Sequence, residues 1–491
     1  MIQHKALNII KVFICTVFLL GIILPLFNLK ANAEAQDPVW EKIKQRGELR
    51  VGLSADYAPY EFESSKNGKR EYVGIDVELA KKIAKDNHLK LKIENMSFDS
   101  LLGALKTGKI DMIISGMTPT PERKKEVDFS DFYMKSGQSI IVKKTEIDKY
   151  KSLRDFDNKR IAAQKQTTQE QLAKTEIENA DVHSLTRLPE AIMSLKSGKV
   201  DGAIIERPVA EAYLQQNPEL GFAKVKFHEP DKDNSIAIPK NAPVLLAQVN
   251  KSVKDVKDQN LIPKYKDIAA QSMEEEGNFF TKYGSFFLTG IKNTILISIV
   301  GVVFGALFGA FFALMKLSSI KPLKWLASVY IEFIRGIPLL VQVFLVFFGT
   351  TAVLGWDISA LICGMIAMVI NCAAYIAEII RAGINAVDKG QTEAARSLGL
   401  SYGQTMKTII LPQAIKNILP ALGNEFVTVI KESSIVSVIG VSEIMFNAQV
   451  VQGASFDPFT PLLVAAILYF VLTFVLSRVM NFFEGRMKVS D

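Results

Sequence analysis

The sequence predicts a two-lobed α/β domain followed by an all-α membrane domain of five helices. Three observations predict it: an uneven distribution of charge, an internal repeat in the first half, and five apolar stretches in the second. Residues 280–491 carry 26 charged side chains, about 12% of that segment, whereas about 30% of residues 1–279 are charged. The first segment thus has the composition of a soluble globular domain and the second that of a membrane domain, which excludes a single soluble enzyme and a disordered chain.

The chain begins with the pattern of a secretory signal peptide. Residues 1–33 combine a basic start, an uncharged run over 12–29 and the small-residue sequence Ala31-Asn32-Ala33. These three features are typical of a cleaved signal. The apolar run is long and Pro25 interrupts it, so an uncleaved signal anchor stays open as an alternative. Either interpretation places the following domain outside the cytoplasm.

Residues 34–275 alternate short apolar runs with amphipathic helical stretches. Leu49–Leu53 has the pattern of a strand, and Asp76 has that of the N-cap of a helix over 77–87. Such alternation is typical of an α/β sandwich with largely parallel sheets.

An internal repeat with an offset of 90 residues divides this domain. Residues 105–115 recur as 195–206, and each copy combines a helix end, a glycine and an apolar strand. Two similar α/β lobes are the simplest account. Because ligands of open α/β sheets bind beyond the carboxyl ends of strands, we expect Ser115–Thr118 and Glu206-Arg207 to face each other across a cleft.

One motif in the first copy imitates a nucleotide site. Gly103–Lys109 matches most of the P-loop pattern G-x-x-x-x-G-K, but Ile110 follows where Ser or Thr is required. The segment also ends a helix and starts a strand, which is the reverse of the P-loop context. We therefore interpret Gly108 as a helix C-cap.

The predicted cleft carries two groups that together match an α-amino acid. Thr120 and Pro121 have the pattern of an N-cap and a first helical position, and a helix N-terminus favours an anion. Arg123 in the first turn adds a planar, two-pronged donor for a carboxylate, and Glu206 is suited to an ammonium group. The spacing alone leaves alternatives open: a surface arginine paired with a neighbouring acid, and an exposed loop carboxylate.

The other reactive side chains predict no metal site, no cofactor and no nucleic-acid partner. Cys15, Cys363 and Cys372 all lie outside 34–275, so no disulfide framework is expected there. The four histidines are scattered without ligand spacing, and the net charge of +7 includes no dense basic cluster.

Residues 276–491 contain five candidate membrane spans, which would contact lipid. The predicted spans are Leu288–Leu314, Trp325–Gly349, Ile358–Ile380, Ala421–Met445 and Leu462–Val479. The second contains Glu332 and Arg335, and the fourth contains Lys431 and Glu432. Because charge is costly in lipid, these residues either face a pathway, a partner or the cytoplasmic boundary, or mark misplaced span ends.

Loop charges predict the orientation of these spans. The loop at 316–324, the segment 381–416 and the C-terminal tail carry Lys and Arg, whereas 350–357 and 447–460 have none. Basic loops stay in the cytoplasm. We therefore expect a multi-pass cell-membrane protein with the binding domain outside and the C-terminus in the cytoplasm.

Four stretches of the first domain resemble the periplasmic-type amino-acid-binding proteins of ABC importers. They are Leu53–Phe62, Gly74–Leu79, Ser115–Thr118 with Arg123, and Asp128–Asp131. The resemblance covers residues 40–272. It implies a periplasmic-binding-protein-like domain whose two lobes close on one amino acid.

The resemblance also implies which residues hold the α-groups of the ligand. Arg123 would bind the α-carboxylate together with the main chain at Ser115, Gly116 and Thr118. Glu206, at a position that is usually Asp in the family, would bind the α-ammonium group.

A second set of residues would contact the ligand side chain, again by resemblance. Tyr57 and Phe98 would sandwich it, and Lys165 to Thr168 would line the second lobe. Ser54 stands where many relatives place an Asp that reaches the ligand side chain, which argues against a strongly cationic ligand. Among polar amino acids, glutamine is therefore the preferred substrate.

Residues 388–412 resemble the EAA loop of ABC-importer permeases. Glu393, Ala394, Ala395 and Gly399, followed after nine residues by Ile409-Ile-Leu411-Pro412, keep every fixed position of E-A-A-x3-G-x9-I-x-L-P. The resemblance implies a short cytoplasmic helix that docks on the ATP-hydrolysing subunit. Since no complete P-loop motif occurs in the chain, we expect a separate ABC ATPase, and since five spans form half a pathway, a homodimer.

The sequence thus predicts the binding and permease subunit of an ABC importer, with no catalytic activity in this chain. One alternative is a ligand-gated ion channel with an amino-acid-binding ectodomain. Such channels insert the pore between the lobes, and no T-V-G-Y-G filter occurs here. A second alternative, an enzyme on the binding fold with Glu206 as an acid, leaves the EAA loop unexplained.

Overall fold

The computed structural model describes residues 37–66, 69–228, 231–273 and 278–488. An α/β domain extends to residue 273, and a helical domain begins at residue 278. The predicted order of folds, a two-lobed α/β domain followed by an all-α domain, is confirmed. The predicted signal peptide, residues 1–33, lies outside the described residues.

The α/β domain alternates strands and helices, as its sequence pattern predicts. Its strands are β1 (Glu48–Leu53), β2 (Asp56–Tyr57), β3 (Glu61–Lys66), β4 (Lys69–Val73), β5 (Lys90–Asn95), β6 (Met112–Ile113), β7 (Asp128–Phe129), β8 (Met134–Lys143), β9 (Arg160–Gln164), β10 (Asp181–Leu185), β11 (Gly202–Glu206), β12 (Leu220–Phe222), β13 (Asp231–Asn234) and β14 (Ala237–Ile238). Its helices are α1 (Pro38–Arg46), α2 (Ile75–Asp86), α3 (Phe98–Lys106), α4 (Pro121–Glu126), α5 (Thr168–Glu176), α6 (Leu188–Lys196), α7 (Arg207–Gln216), α8 (Pro243–Asp258) and α9 (Ile262–Met273).

Each lobe is built around its own sheet. The first lobe has the strand order β5-β1-β6-β14-β7 and carries the small sheet β2-β3-β4, whereas the second has the order β10-β9-β11-β8-β12 with β13 paired to β8. In each lobe the central strands are parallel, β1 with β5 and β6, and β9 with β10 and β11. The chain crosses between the lobes twice, before β8 and after β13.

The internal repeat appears as the same helix–glycine–strand unit in both lobes. Gly108 follows α3 with a φ of 74°, and Gly198 follows α6 with a φ of 76°. Both helices therefore end in the left-handed conformation that favours glycine. β6 and β11 come next, and each occupies an inner position of its sheet, so the interpretation of Gly108 as a helix C-cap is confirmed.

The predicted start of α2 is wrong by two residues. Asp76 is not the N-cap, because the helix begins at Ile75 after Gly74. The carboxylate of Asp76 is fully buried and accepts hydrogen bonds from another part of the lobe. The presence of an acid at this position is thus explained by a tertiary contact and not by capping of the helix.

The helical domain consists of nine α-helices in the described range 278–488. They are α10 (Phe279–Leu317), α11 (Lys321–Gly336), α12 (Leu339–Ala352), α13 (Ala360–Asn385), α14 (Lys389–Ser397), α15 (Tyr402–Thr405), α16 (Leu411–Glu432), α17 (Ile444–Ser455) and α18 (Thr460–Lys488). A π-helical turn, Met406–Ile410, precedes α16, and a 3₁₀ turn, Ser433–Ile439, follows it.

Three of these helices, α10, α13 and α18, are each long and apolar enough to cross a membrane. Two bent pairs raise the number to five if each pair is one span: α11 with α12, bent by 105°, and 402–439 with α17, bent by 50°. The predicted second and fourth spans are therefore not continuous helices. In the second, Pro338 lies at the break, where its missing N–H and its ring cannot continue a helix.

The α/β domain packs against one end of the helical domain. The Lys109 ammonium donates to the Ile358 carbonyl at 2.9 Å, Arg50 forms an ion pair with Asp357, and Leu101 shares an apolar core with Phe347. The contacting residues of the helical domain lie in α12 and in the loop between α12 and α13. The segment 388–412 follows the other end of this 26-residue helix, about 39 Å away at 1.5 Å per residue.

Candidate functional site

A cavity lies between the two lobes. Its lining consists of Ser54, Asp56, Tyr57, Phe98, Ser115, Gly116, Thr118, Arg123, Gln164, Thr167, Thr168 and Gln169. The predicted meeting of the two repeat units is confirmed, since a Cβ placed on Gly116 would lie 3.5 Å from a carboxylate oxygen of Glu206. Eight of the ten predicted ligand contacts line the cavity, and Glu206 lies immediately behind its wall.

Arg123 is positioned by the first turn of α4. The Thr120 hydroxyl caps this helix by accepting from the Arg123 main-chain N–H, as predicted. The guanidinium is 8% exposed and donates to the Thr118 carbonyl of its own lobe and to the Gln166 carbonyl of the other, both at 2.7 Å. The alternative of a surface arginine is therefore wrong.

The Arg123 guanidinium is a buried cation at the wall of the cavity. Burial lowers its pKa to about 10, so it stays charged at neutral pH. Its two hydrogen bonds go to main-chain carbonyls and not to a carboxylate. A buried cation with this donor geometry is suited to a bound anionic group.

Glu206 ends β11 in the second lobe and is 2% exposed, so the alternative of an exposed loop acid is also wrong. Its carboxylate accepts from the Tyr57 and Tyr60 hydroxyls at 3.1 Å, from the Asn234 amide at 2.9 Å and from the Ser136 hydroxyl. Desolvation raises its pKa to about 7. The carboxylate is thus buried and hydrogen-bonded from both lobes, directly behind the cavity wall at Gly116.

Two further acids lie behind the cavity and were missed as functional residues. Asp76 accepts from the Gly116 main-chain N–H at 2.7 Å and from the Tyr133 hydroxyl at 2.8 Å, and burial raises its pKa to about 7. Glu61 accepts from the Ser115 hydroxyl, and burial raises its pKa well above the usual value. These two acids hold the Ser115-Gly116 segment that lines the cavity. Both lie in sequence stretches that resemble the binding-protein family, and that resemblance could have identified them.

The side of the cavity that remains for a ligand side chain is polar but nearly neutral. The Gln169 amide donates to Gln138 at 2.8 Å, and the Ser54 hydroxyl donates to Asp56 at 2.9 Å. The other oxygen of Asp56 pairs with Arg187 at 3.2 Å. The carboxylate of Asp56 is thus already neutralised by the protein.

The structure corrects the prediction that Lys165 lines the cavity. Its side chain is exposed and is not among the lining residues, and its main-chain N–H donates to the carbonyl of Leu185, the last residue of β10. Gln164, Thr167 and Thr168 supply the second-lobe wall instead.

The predicted coupling loop contains an exposed short helix, α14. Glu393, Ala394 and Gly399 are exposed, whereas Ala395 is buried against the rest of the domain. Gly399 has a φ of 85°, and Leu398 beside it is 83% exposed. Leu411 and Pro412 begin α16, so one side of the loop is continuous with a long helix.

Two family models match the chain in tandem. Residues 49–269 match the bacterial extracellular solute-binding proteins, family 3, and residues 284–489 match the binding-protein-dependent transport system inner membrane component. The two matches correspond to the α/β domain and to the helical domain.

Curated relatives match the helical part. The arginine transport system permease protein ArtQ of Bacillus subtilis is 42% identical over 206 residues, which is 42% of this chain and 94% of ArtQ. The putative glutamine transport system permease protein GlnP of Rickettsia conorii is 40% identical over 205 residues, again 42% of this chain and 94% of the relative.

Among solved structures, a similar one is the amino acid ABC transporter substrate-binding protein AbpA from Streptococcus pneumoniae bound to L-arginine. It is 37% identical, with 48% of this chain and 100% of that chain covered and a TM-score of 0.47. The permease identities and the two tandem family matches assign the whole chain: it belongs to the amino-acid ABC transporter permeases and carries a family 3 solute-binding domain fused in front of its permease domain.

Proposed function

We propose that this chain captures glutamine outside the cell and passes it through a homodimeric permease, driven by ATP hydrolysis in a separate subunit. One observation carries the proposal: Arg123 lines the cavity from the first lobe, and Glu206 of the second lobe lies directly behind the cavity wall at Gly116, both buried. The α-carboxylate of an amino acid complements the Arg123 guanidinium, and its α-ammonium group complements Glu206.

The cavity chemistry supports glutamine over arginine. Glutamine and threonine side chains line the second-lobe wall, and they pair well with a neutral amide. A guanidinium would need a free carboxylate, but Asp56 is occupied by Arg187. Relatives are named for both arginine and glutamine, so the choice rests on these cavity contacts.

The dimensions of the helical domain support the proposed orientation. The binding domain lies before α13 and the coupling segment after it, about 39 Å apart along the helix. That length exceeds the hydrocarbon core of a bilayer. With the basic loops on the coupling side, the binding domain faces outward and the C-terminus lies in the cytoplasm.

Exposed side chains of the helical domain support the two proposed protein partners, a second copy of the chain and a separate ATPase. Glu332 and Arg335 are exposed on α11, where contact with lipid would be costly, and a second copy of the permease would cover them. Leu398 is exposed beside the coupling helix and would fit a groove of the ATPase. The chain itself then performs binding and conformational work without chemistry.

Calorimetry on the full-length chain in lipid nanodiscs tests the substrate. Glutamine is expected to bind to one site per chain, with arginine and glutamate at least about tenfold weaker, because a mismatched charge in a buried site costs more than 1.4 kcal/mol. Tighter binding of arginine than of glutamine would overturn the choice of substrate. Proteoliposomes that also contain the ATPase should take up glutamine only when ATP is supplied.

A further inference from the structure

Three parts of the chain meet at the ion pair between Asp56 and Arg187. Asp56 belongs to β2 in the first lobe and lines the ligand cavity, whereas Arg187 immediately precedes α6 in the second lobe. The guanidinium lies 3.2 Å from the carboxylate, and the side chains are 2% and 0% exposed. Because the partners belong to different lobes, the pair exists only while the lobes are closed.

A helix of the permease covers this pair. A Cβ added to Gly453 of α17 would lie 2.6 Å from the Asp56 Cα, so the close approach requires glycine. The ring of Phe446, on the same helix, lies 5.9 Å from the Arg187 guanidinium carbon. Through these two contacts α17 touches both lobes at the point where they join.

The Arg187 guanidinium has little other support within the described residues. Its second terminal nitrogen has no hydrogen-bond partner among them. Glu190 of the same lobe accepts from the Arg187 main-chain N–H at 3.4 Å rather than from the guanidinium. Asp56 is therefore the acid that makes burial of this cation under α17 tolerable.

We propose that Arg187 is a positioning residue through which α17 distinguishes closed lobes from open ones. If the lobes opened beneath α17, Asp56 would be withdrawn and the guanidinium would stay buried without its acid, which is strongly unfavourable. Docking and closure thus stabilise each other, and by linkage each favours the other equally. The inference rests on the proposed function, since ligand binding is what closes the lobes.

The test measures docking directly in the full-length chain in nanodiscs. Spin labels at the exposed positions Lys224→Cys and Phe459→Cys report the distance between the second lobe and the permease by electron spin resonance. Cys363 and Cys372 are buried and so are poorly accessible to the label. Calorimetry on the same samples measures glutamine and arginine binding.

Three variants distinguish the effect of the Arg187 charge from the effect of the close packing of α17 against Asp56. The parent should dock at least about fivefold more with ligand than without it, the lower range of allosteric coupling. Arg187→Met removes the buried charge and should dock equally with and without ligand, whereas Arg187→Lys should keep ligand dependence. Gly453→Val should bind ligand normally and fail to dock.

The possible outcomes distinguish this inference from the proposed function. If Arg187→Met docks with the same ligand dependence as the parent, the inference is wrong while the proposed function stands. If Gly453→Val docks normally, α17 does not cover the pair, and the inference is also wrong. A parent that binds no amino acid overturns the proposed function and the inference together.

Discussion

The cavity between the lobes and the exposed helix α14 differ in how they present charge. Arg123 and Glu206 are buried, and the chain itself supplies hydrogen bonds to each. Glu393 on α14 is exposed, beside the exposed apolar side chain of Leu398. Desolvated charge suits recognition of a small zwitterion, whereas an exposed helix with an apolar residue suits a protein surface. A change at either end should therefore leave the other intact.

The largest effect is expected from Arg123→Ala. Removing one partner of a buried charge-assisted contact costs about 2–5 kcal/mol, so glutamine affinity should fall about 30-fold or more. Calorimetry on the full-length chain measures the loss. Lys124→Ala, at the next and exposed position of α4, is the matched control and should bind like the parent. Parent-like binding by Arg123→Ala would show that the carboxylate is held elsewhere.

Gly399→Asp should disrupt the exposed loop that follows α14 and leave the ligand cavity intact. Gly399 has a φ of 85°, and a side chain in this region strains the backbone by about 1–3 kcal/mol, which would reshape the coupling loop. Glutamine binding should be unchanged, while ATP-driven uptake in proteoliposomes should fall about tenfold or more. Gly403→Ala provides a control, because an added Cβ meets nothing within 4 Å there. Normal uptake by Gly399→Asp would contradict the coupling role.

The sequence predicted the two lobes, the helical domain and eight of the cavity-lining residues, because repeats, apolar runs and short motifs are local. The sequence-based prediction is wrong where the role of a residue depends on contacts with a distant part of the chain. Asp76 looked like a helix cap, but its partners are Gly116 and Tyr133, far along the chain. The apolar pattern likewise predicts one continuous span across Pro338, where the structure has a sharp bend between two helices. The contact of α17 with Asp56 joins residues nearly 400 positions apart, which no local pattern reports.

The pH dependence of glutamine binding tests whether Glu206 binds the α-ammonium group. Burial raises its pKa to about 7, so below that pH the free site loses the negative charge that attracts the ammonium group. Glutamine stays zwitterionic near neutral pH, and its affinity should therefore fall by about fivefold from pH 7 to pH 6. Glu206→Gln should bind weakly with a flatter profile. A slope that persists in this variant would assign the effect to Asp76, whose pKa is also about 7.

The smallest effect is expected at the ion pair between Arg50 and Asp357, which joins the two domains. The Asp357 side chain is 45% exposed, and exposed pairs contribute about 1 kcal/mol or less. Asp357→Asn should therefore reduce ligand-induced docking, measured by the same spin labels, by no more than about fivefold, and high salt should reduce parent docking to a similar degree. Lys109→Met should cost more, because Lys109 is buried against the Ile358 carbonyl. If Asp357→Asn instead reduced docking more than Lys109→Met, the exposed ion pair would contribute more to this interface than the buried lysine. The expectation that buried charges dominate binding within this chain would then be wrong at the interface between its two domains.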